Sequence, residues 1–97
     1  MTKKIDNDAW FWVVVQDPGG NEQFLGQREE ESGVTFIPMF SEKEDALMCM
    51  NLMVRDKKKK YEVQAVIYSD LKDQAAGGGF MLYRLDGDGR VLEKLNV

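Results

Sequence analysis

Histidine is absent from this 97-residue chain, cysteine occurs once and proline twice, and no apolar run reaches the roughly 18 residues needed to span a bilayer. Without histidine the chain lacks the side chain that ordinarily titrates nearest neutral pH and the commonest metal ligand, so any catalytic triad or metal set built on imidazole is excluded. The lone Cys49 rules out an intrachain disulfide, so the core must hold the fold unaided, as suits a reducing cytoplasm. Positive charge is also short: 13 Lys and Arg stand against 17 Asp and Glu, a formal net charge of −4. That balance opposes nucleic acid and anionic membranes as partners. The opening residues, Met1 to Asp8, pass from two lysines into polar residues and do not read as a signal peptide; they are expected to be a flexible tail.

What is present is a globular composition, 43% hydrophobic and 31% charged, of a size for one core. Residues 1–97 are therefore read as a single domain. Trp10 to Val15 is aromatic and β-branched, and ends at Asp17-Pro18-Gly19-Gly20, a strand followed by a turn of type II chemistry. A short strand follows around Gln23-Phe24-Leu25. A charged loop over Arg28 to Gly33 then leads into a third strand, Val34 to Phe40, with Pro38 suited to a bulge, an edge or a strand end. Ser41 and Glu44 have the spacing of a capping box. Acidic residues at its start and Arg55 with Lys57 to Lys60 at its end match the helix dipole, so a helix is expected over 42–57. Tyr61 to Ile67 alternates as a strand with one mostly buried face; Ser69 to Ala76 reads as a short helix. Phe80 to Leu85 and Arg90 to Leu95 form a hairpin across Asp86-Gly87-Asp88-Gly89. The expected architecture is α+β: a mainly antiparallel sheet of five to six strands covered by one main amphipathic helix, in the order β-β-β-α-β-(short α)-β-β.

None of the chemistry-bearing residues forms a catalytic pattern. Cys49 lies within an apolar helical run, where a thiol is protonated and inert. Asp86-Gly87-Asp88-Gly89 opens like a calcium loop but lacks ligands at the later positions, and Gly77-Gly78-Gly79 lacks the Lys-Ser/Thr pair and following helix of a phosphate cradle. Lys57 to Lys60 has no interleaved aromatics or arginines. Glu29 to Glu31 is an acidic counterpart that could meet it. No catalytic, metal-ligating or cofactor-binding residue is assigned.

Two apolar excesses remain. The helix carries Ala46, Leu47, Met48, Cys49, Met50, Leu52, Met53 and Val54, more than one stripe at 3.6 residues per turn. With Ala46, Met50, Met53 and Val54 turned inward, Met48 and Leu52 are left at the border. In the first strand Trp10, Trp12 and Val14 face one way and Phe11, Val13 and Val15 the other, so both faces are apolar. Tryptophan and methionine are common anchors of protein interfaces.

The junction Gly33-Val34-Thr35-Phe36-Ile37-Pro38-Met39-Phe40-Ser41-Glu42-Lys43-Glu44-Asp45-Ala46 resembles the SseB-like (enhanced serine sensitivity) group, with its Pro-x-Phe-Ser/Thr step before an acidic helix start. The element order is also similar to that of small bacterial and cyanobacterial domains of unknown function. The resemblance implies an α+β fold and an accessory or regulatory role, and brings no catalytic residues. The expected function is a non-enzymatic cytoplasmic module. It binds itself, as a homodimer, or another protein, through Trp10, Trp12, Met48 and Leu52. No cofactor, nucleic acid or membrane is expected. The alternative is a small-molecule-binding regulatory domain with an aromatic pocket of Tyr68, Phe80 and Tyr83 beside the glycine loop.

Overall fold

The apolar run after Ala9 becomes β1 (Trp10–Gln16), and the reason both of its faces are apolar is that both are packed by the chain itself. The computed structural model describes residues 5–95. Along β1, odd-numbered residues hydrogen-bond to β5 (Tyr61–Ile67), in an antiparallel register that sets Val13 opposite Gln64. The even-numbered residues face the other way, where Val14 accepts from the Leu25 N–H and Val15 and Gln16 sit opposite β2 (Gln23–Phe24). Between β1 and β2 the Gly20 N–H donates to the Asp17 carbonyl at 3.0 Å and Gly19 has φ +82°, as the expected turn requires.

A second, mixed sheet runs β3 (Gln27–Arg28), β4 (Thr35–Met39), β6 (Met81–Leu85) and β7 (Val91–Leu95). β4 and β6 are parallel, which demands the long crossover through both helices and β5. The expected single, mainly antiparallel sheet of five to six strands is thus replaced, among the described residues, by seven strands in two sheets. The sequence order is β-β-β-β-α-β-α-β-β, because Gln27–Arg28, where the charged loop was expected to begin, also pairs as a strand. Pro38 lies within β4 where β3 no longer pairs, so its missing N–H leaves no ladder bond unmade on that side. The two sheets are pinned together by a reciprocal pair of hydrogen bonds between Trp12 and Phe40, at 2.8 and 2.9 Å.

The helices differ most from expectation. α1 spans Lys43–Met50, eight residues rather than 42–57, and Glu42, not Ser41, is its N-cap, with no side-chain cap bond. Its end has an identifiable cause. The Gln27 side chain takes up the Val54 backbone, accepting from the Val54 N–H at 3.0 Å and donating to the Val54 carbonyl at 2.7 Å, so that N–H is not left for a helical bond where the helix was expected to continue. The lysine run therefore sits in a turn built on Asp56 rather than at a helix terminus. α2 (Tyr68–Gly78) is the longer helix, and it is not a minor element: Tyr68, Leu71 and Ala75 are buried against Phe11, Val13, Val15, Ile37, Met39 and Leu82. α1 closes the opposite side, with Ala46 and Cys49 buried against Val14, Phe40, Val63, Tyr83 and Leu85. One main helix over one sheet is corrected to two helices on opposite sides of a strand layer.

The expected tail over residues 1–8 lies outside the described residues for 1–4. Ile5 packs against the α2-side core, and the Asn7 carbonyl accepts from the Ser69 N–H at 3.1 Å. Acidic and basic runs meet elsewhere than anticipated. Glu29 pairs with Lys94 at 3.1 Å and Lys59 with Asp17 at 3.6 Å. The Ser32 hydroxyl, and then Lys94, hold the Glu29 carboxyl below its ordinary range.

The glycine triplet has distinct jobs. Gly79, at φ +74°, ends α2 in the left-handed conformation. A Cβ on Gly78 would stand 2.7 Å from the Phe80 ring, whereas one on Gly77 meets nothing within 4 Å. Gly77→Ala is accordingly expected to stabilise the protein by about 0.5–1 kcal/mol through helix propensity. Gly78→Ala is expected to lose about 1 kcal/mol or more net, because overpacking outweighs the same gain. Thermal melts of the two variants should move in opposite directions; equal shifts would show that Phe80 can step aside.

Candidate interaction surface

In the β1–β5 pair, opposed residues share a face: Trp10 with Ile67, Trp12 with Ala65, Val14 with Val63 and Gln16 with Tyr61. α1 covers only part of this face. Ala46 and Cys49 sit over the Val14 and Val63 end, where both strands are buried. Toward the other end, Trp12 is half-buried, with the Lys43 ammonium 5.5 Å from its ring centre, and Ile67 is half-buried. Ala65 is exposed, and Trp10 is 62% exposed. Leu47, one turn after Lys43 on α1, is also exposed and adds to the same border. The result is an uncovered apolar strip, Trp10, Trp12, Ala65 and Ile67, edged by a cation.

Met48 and Leu52 are exposed too, at 55% and 65%, but they do not join this strip. Met48 lies about 140° around the helix from Lys43, on the flank that meets the β6–β7 turn. A Cβ added to Gly87 there would come within 3.3 Å of the Met48 sulfur. Leu52 follows the end of α1. The sequence-chosen four are therefore two residues of β1 in the strip, Trp10 and Trp12, one on the far flank of α1, Met48, and one beyond its end, Leu52. Of the expected inward set, Ala46 is buried and Met50 and Met53 are half-buried against the core, while Val54 is 86% exposed in the Gln27-held segment. Cys49 takes the place left inside. Ala65 and Ile67 were missed because alternation alone placed Tyr61, Val63, Ala65 and Ile67 on one buried face; the short helix leaves half of that face bare.

The backbone of β5 completes the site. Since its even-numbered residues bond to β1, the N–H and C=O groups of Tyr61, Val63 and Ala65 point outward. β5 is the outer strand of its sheet on that side.

Other candidates have structural explanations. The Asp86 carboxylate accepts from the N–H groups of Asp88 and Arg90, closing the β6–β7 hairpin as a turn. No group of three or more His, Cys, Asp or Glu among the described residues is placed to hold a metal ion. Burial, and then the nearby Asp86 charge, push the Cys49 thiol above its ordinary pKa, so it is a poor nucleophile. Phe80 does line an open groove with Phe24, Ile37, Asp73 and Gly78, but Tyr68 and Tyr83 are not in its wall. Each is buried in the core, on opposite sides of the strand layer. No helix among the described residues is long and apolar enough to cross a membrane.

The fold and surface together define a small α+β domain, of two sheets and two helices among the described residues, in which β5 is an edge strand beside the partly apolar strip. No protein-family model, no curated protein and no solved structure matches this chain.

Proposed function

We propose that this chain is a non-enzymatic, self-associating accessory module that acts in the cytoplasm and uses the Trp10–Trp12 side of the β1–β5 sheet to engage a second copy of itself. One observation carries the reading: Trp10 stands largely in solvent at the end of a sheet face that α1 leaves uncovered. Large aromatic side chains contribute most to an interface when they are desolvated on binding, and a tryptophan beside half-bare Trp12, Ala65 and Ile67 offers a contiguous anchor. The accessory role is the one that the resemblance of residues 33–46 to the SseB-like group implies.

Sedimentation of the full chain over a wide concentration range tests this. A reversible dimer is expected, with Trp10→Glu shifting it toward monomer while leaving the far-UV circular dichroism unchanged. A monomer at every concentration would overturn self-association. It would leave two alternatives, a heterologous partner on the same strip or a small ligand in the Phe24–Phe80 groove. A ligand-dependent rise in melting temperature would identify the second.

A further inference from the structure

We infer that two copies join edge to edge through β5, antiparallel and centred on Gln64, to make one continuous six-stranded sheet in the order β2-β1-β5-β5-β1-β2. This rests on the reading of the chain as a self-associating module, and specifies the geometry that reading leaves open.

The direction of the free backbone groups sets the choices. With Tyr61, Val63 and Ala65 pointing outward, an antiparallel partner must pair odd-numbered residues with odd-numbered residues. Among such registers, the one that overlaps all seven residues of β5 places Val63 opposite the partner's Ala65, Tyr61 opposite the partner's Ile67, and Gln64 on the two-fold axis beside its own copy. This pairing is free of like charges: Glu62 faces the partner's Val66, and the centre is a neutral amide. The strand contains no proline and no lysine, the residues that commonly protect an exposed edge. Its preceding lysine run points toward the end where the partner's α2 begins with Asp70 in its first turn.

The other edges are poorer. β2 and β3 are two residues each. β7 is long enough, but full overlap with its own copy would set Glu93 against Glu93.

The same two-fold brings the β5 half of the uncovered strip, Ala65 and Ile67, to the join, with Trp10 and Trp12 one strand behind it on β1. Because the axis is perpendicular to the sheet, both copies present the α1 face on the same side. Ala65 and Ile67, at the bare end of one β5, then lie beside Val63 and Tyr61 of the other, the end over which that copy's α1 is packed. Each copy's bare Ala65 and Ile67 thus meet the covered end of the other's β5.

The test is register-specific cross-linking of the full chain. Gln64 would sit in a non-hydrogen-bonded antiparallel pair, where Cα atoms are about 4.5 Å apart, within the roughly 4.4–6.8 Å that a disulfide accepts. Under mild oxidation Gln64→Cys should form a covalent dimer. Glu62→Cys and Val66→Cys should do so only when mixed. Buried Cys49 offers no competing thiol. Ala65→Lys, at an exposed position, should keep the fold and weaken the dimer roughly tenfold or more by placing a lysine on the edge. If the native chain sediments as a dimer but Gln64→Cys does not cross-link, or Ala65→Lys dimerises normally, the edge pairing is wrong and self-association uses another surface. If the native chain is a monomer throughout, both readings fall together.

Discussion

Phe40→Ala is expected to lower the free energy of unfolding by about 3–5 kcal/mol, the range for truncating a fully buried phenylalanine. Phe40 is 0% exposed and packs among Val14, Ala46, Tyr83 and Leu85, so its ring is shared by β1, α1 and β6. Among the described residues it also occupies the position where a backbone bridge joins the two sheets, through its paired hydrogen bonds with Trp12. Alanine keeps those backbone bonds but leaves a cavity where the sheets meet. Domains of this kind are stable by only about 5–15 kcal/mol, so the loss would consume a large part of the total. Urea titration followed by circular dichroism should show a much lower midpoint with a similar slope. A loss under about 1 kcal/mol would mean that the neighbouring side chains collapse into the space and that Phe40 is not the pin between the sheets.

Leu71→Ala is expected to cost about 2–5 kcal/mol, whereas Met48→Ala should stay within about 0.5 kcal/mol. The contrast concerns which helix matters. Leu71, on α2, is 0% exposed amid Phe11, Val15, Met39 and Leu82, while Met48, on the Met-rich α1, is 55% exposed. A helix that the sequence presents as short is thus expected to hold one of the two cores. Chemical denaturation of both variants, measured side by side, checks this. Reversed magnitudes would require a different packing of α2.

The strands were legible where local chemistry was strong. Trp10–Gln16 and Tyr61–Ile67 declared themselves by β-branched and aromatic content, and the Asp17–Gly20 and Asp86–Gly89 turns by their Asp, Pro and Gly. The helices were harder. α2 buries its three core residues at positions 68, 71 and 75, a helical spacing whose first residue, Tyr68, falls between the strand expected over 61–67 and the helix expected from Ser69. α1 was overextended because acidic and basic residues lay in dipole order, although the basic ones belong to a turn held by Asp56. A side chain 27 positions away, Gln27, holds the backbone at Val54 where the helix was expected to continue. No local pattern encodes that contact. The surface was read in part: Trp10, Met48 and Leu52 are exposed and Trp12 is half so. Whether they share a patch depends on how α1 sits.

By itself the sequence determined the absence of imidazole chemistry and of an intrachain disulfide, the α+β class, and the doubly apolar first strand, because these follow from composition and from periods of two and 3.6 residues. The tertiary structure decided the parallel pairing of β4 with β6, the splitting of the strands into two sheets, and the half-bare face beside the free edge of β5. Those depend on contacts between residues far apart in the chain, and alternation along one strand cannot say which neighbour, or how much of a helix, will cover it.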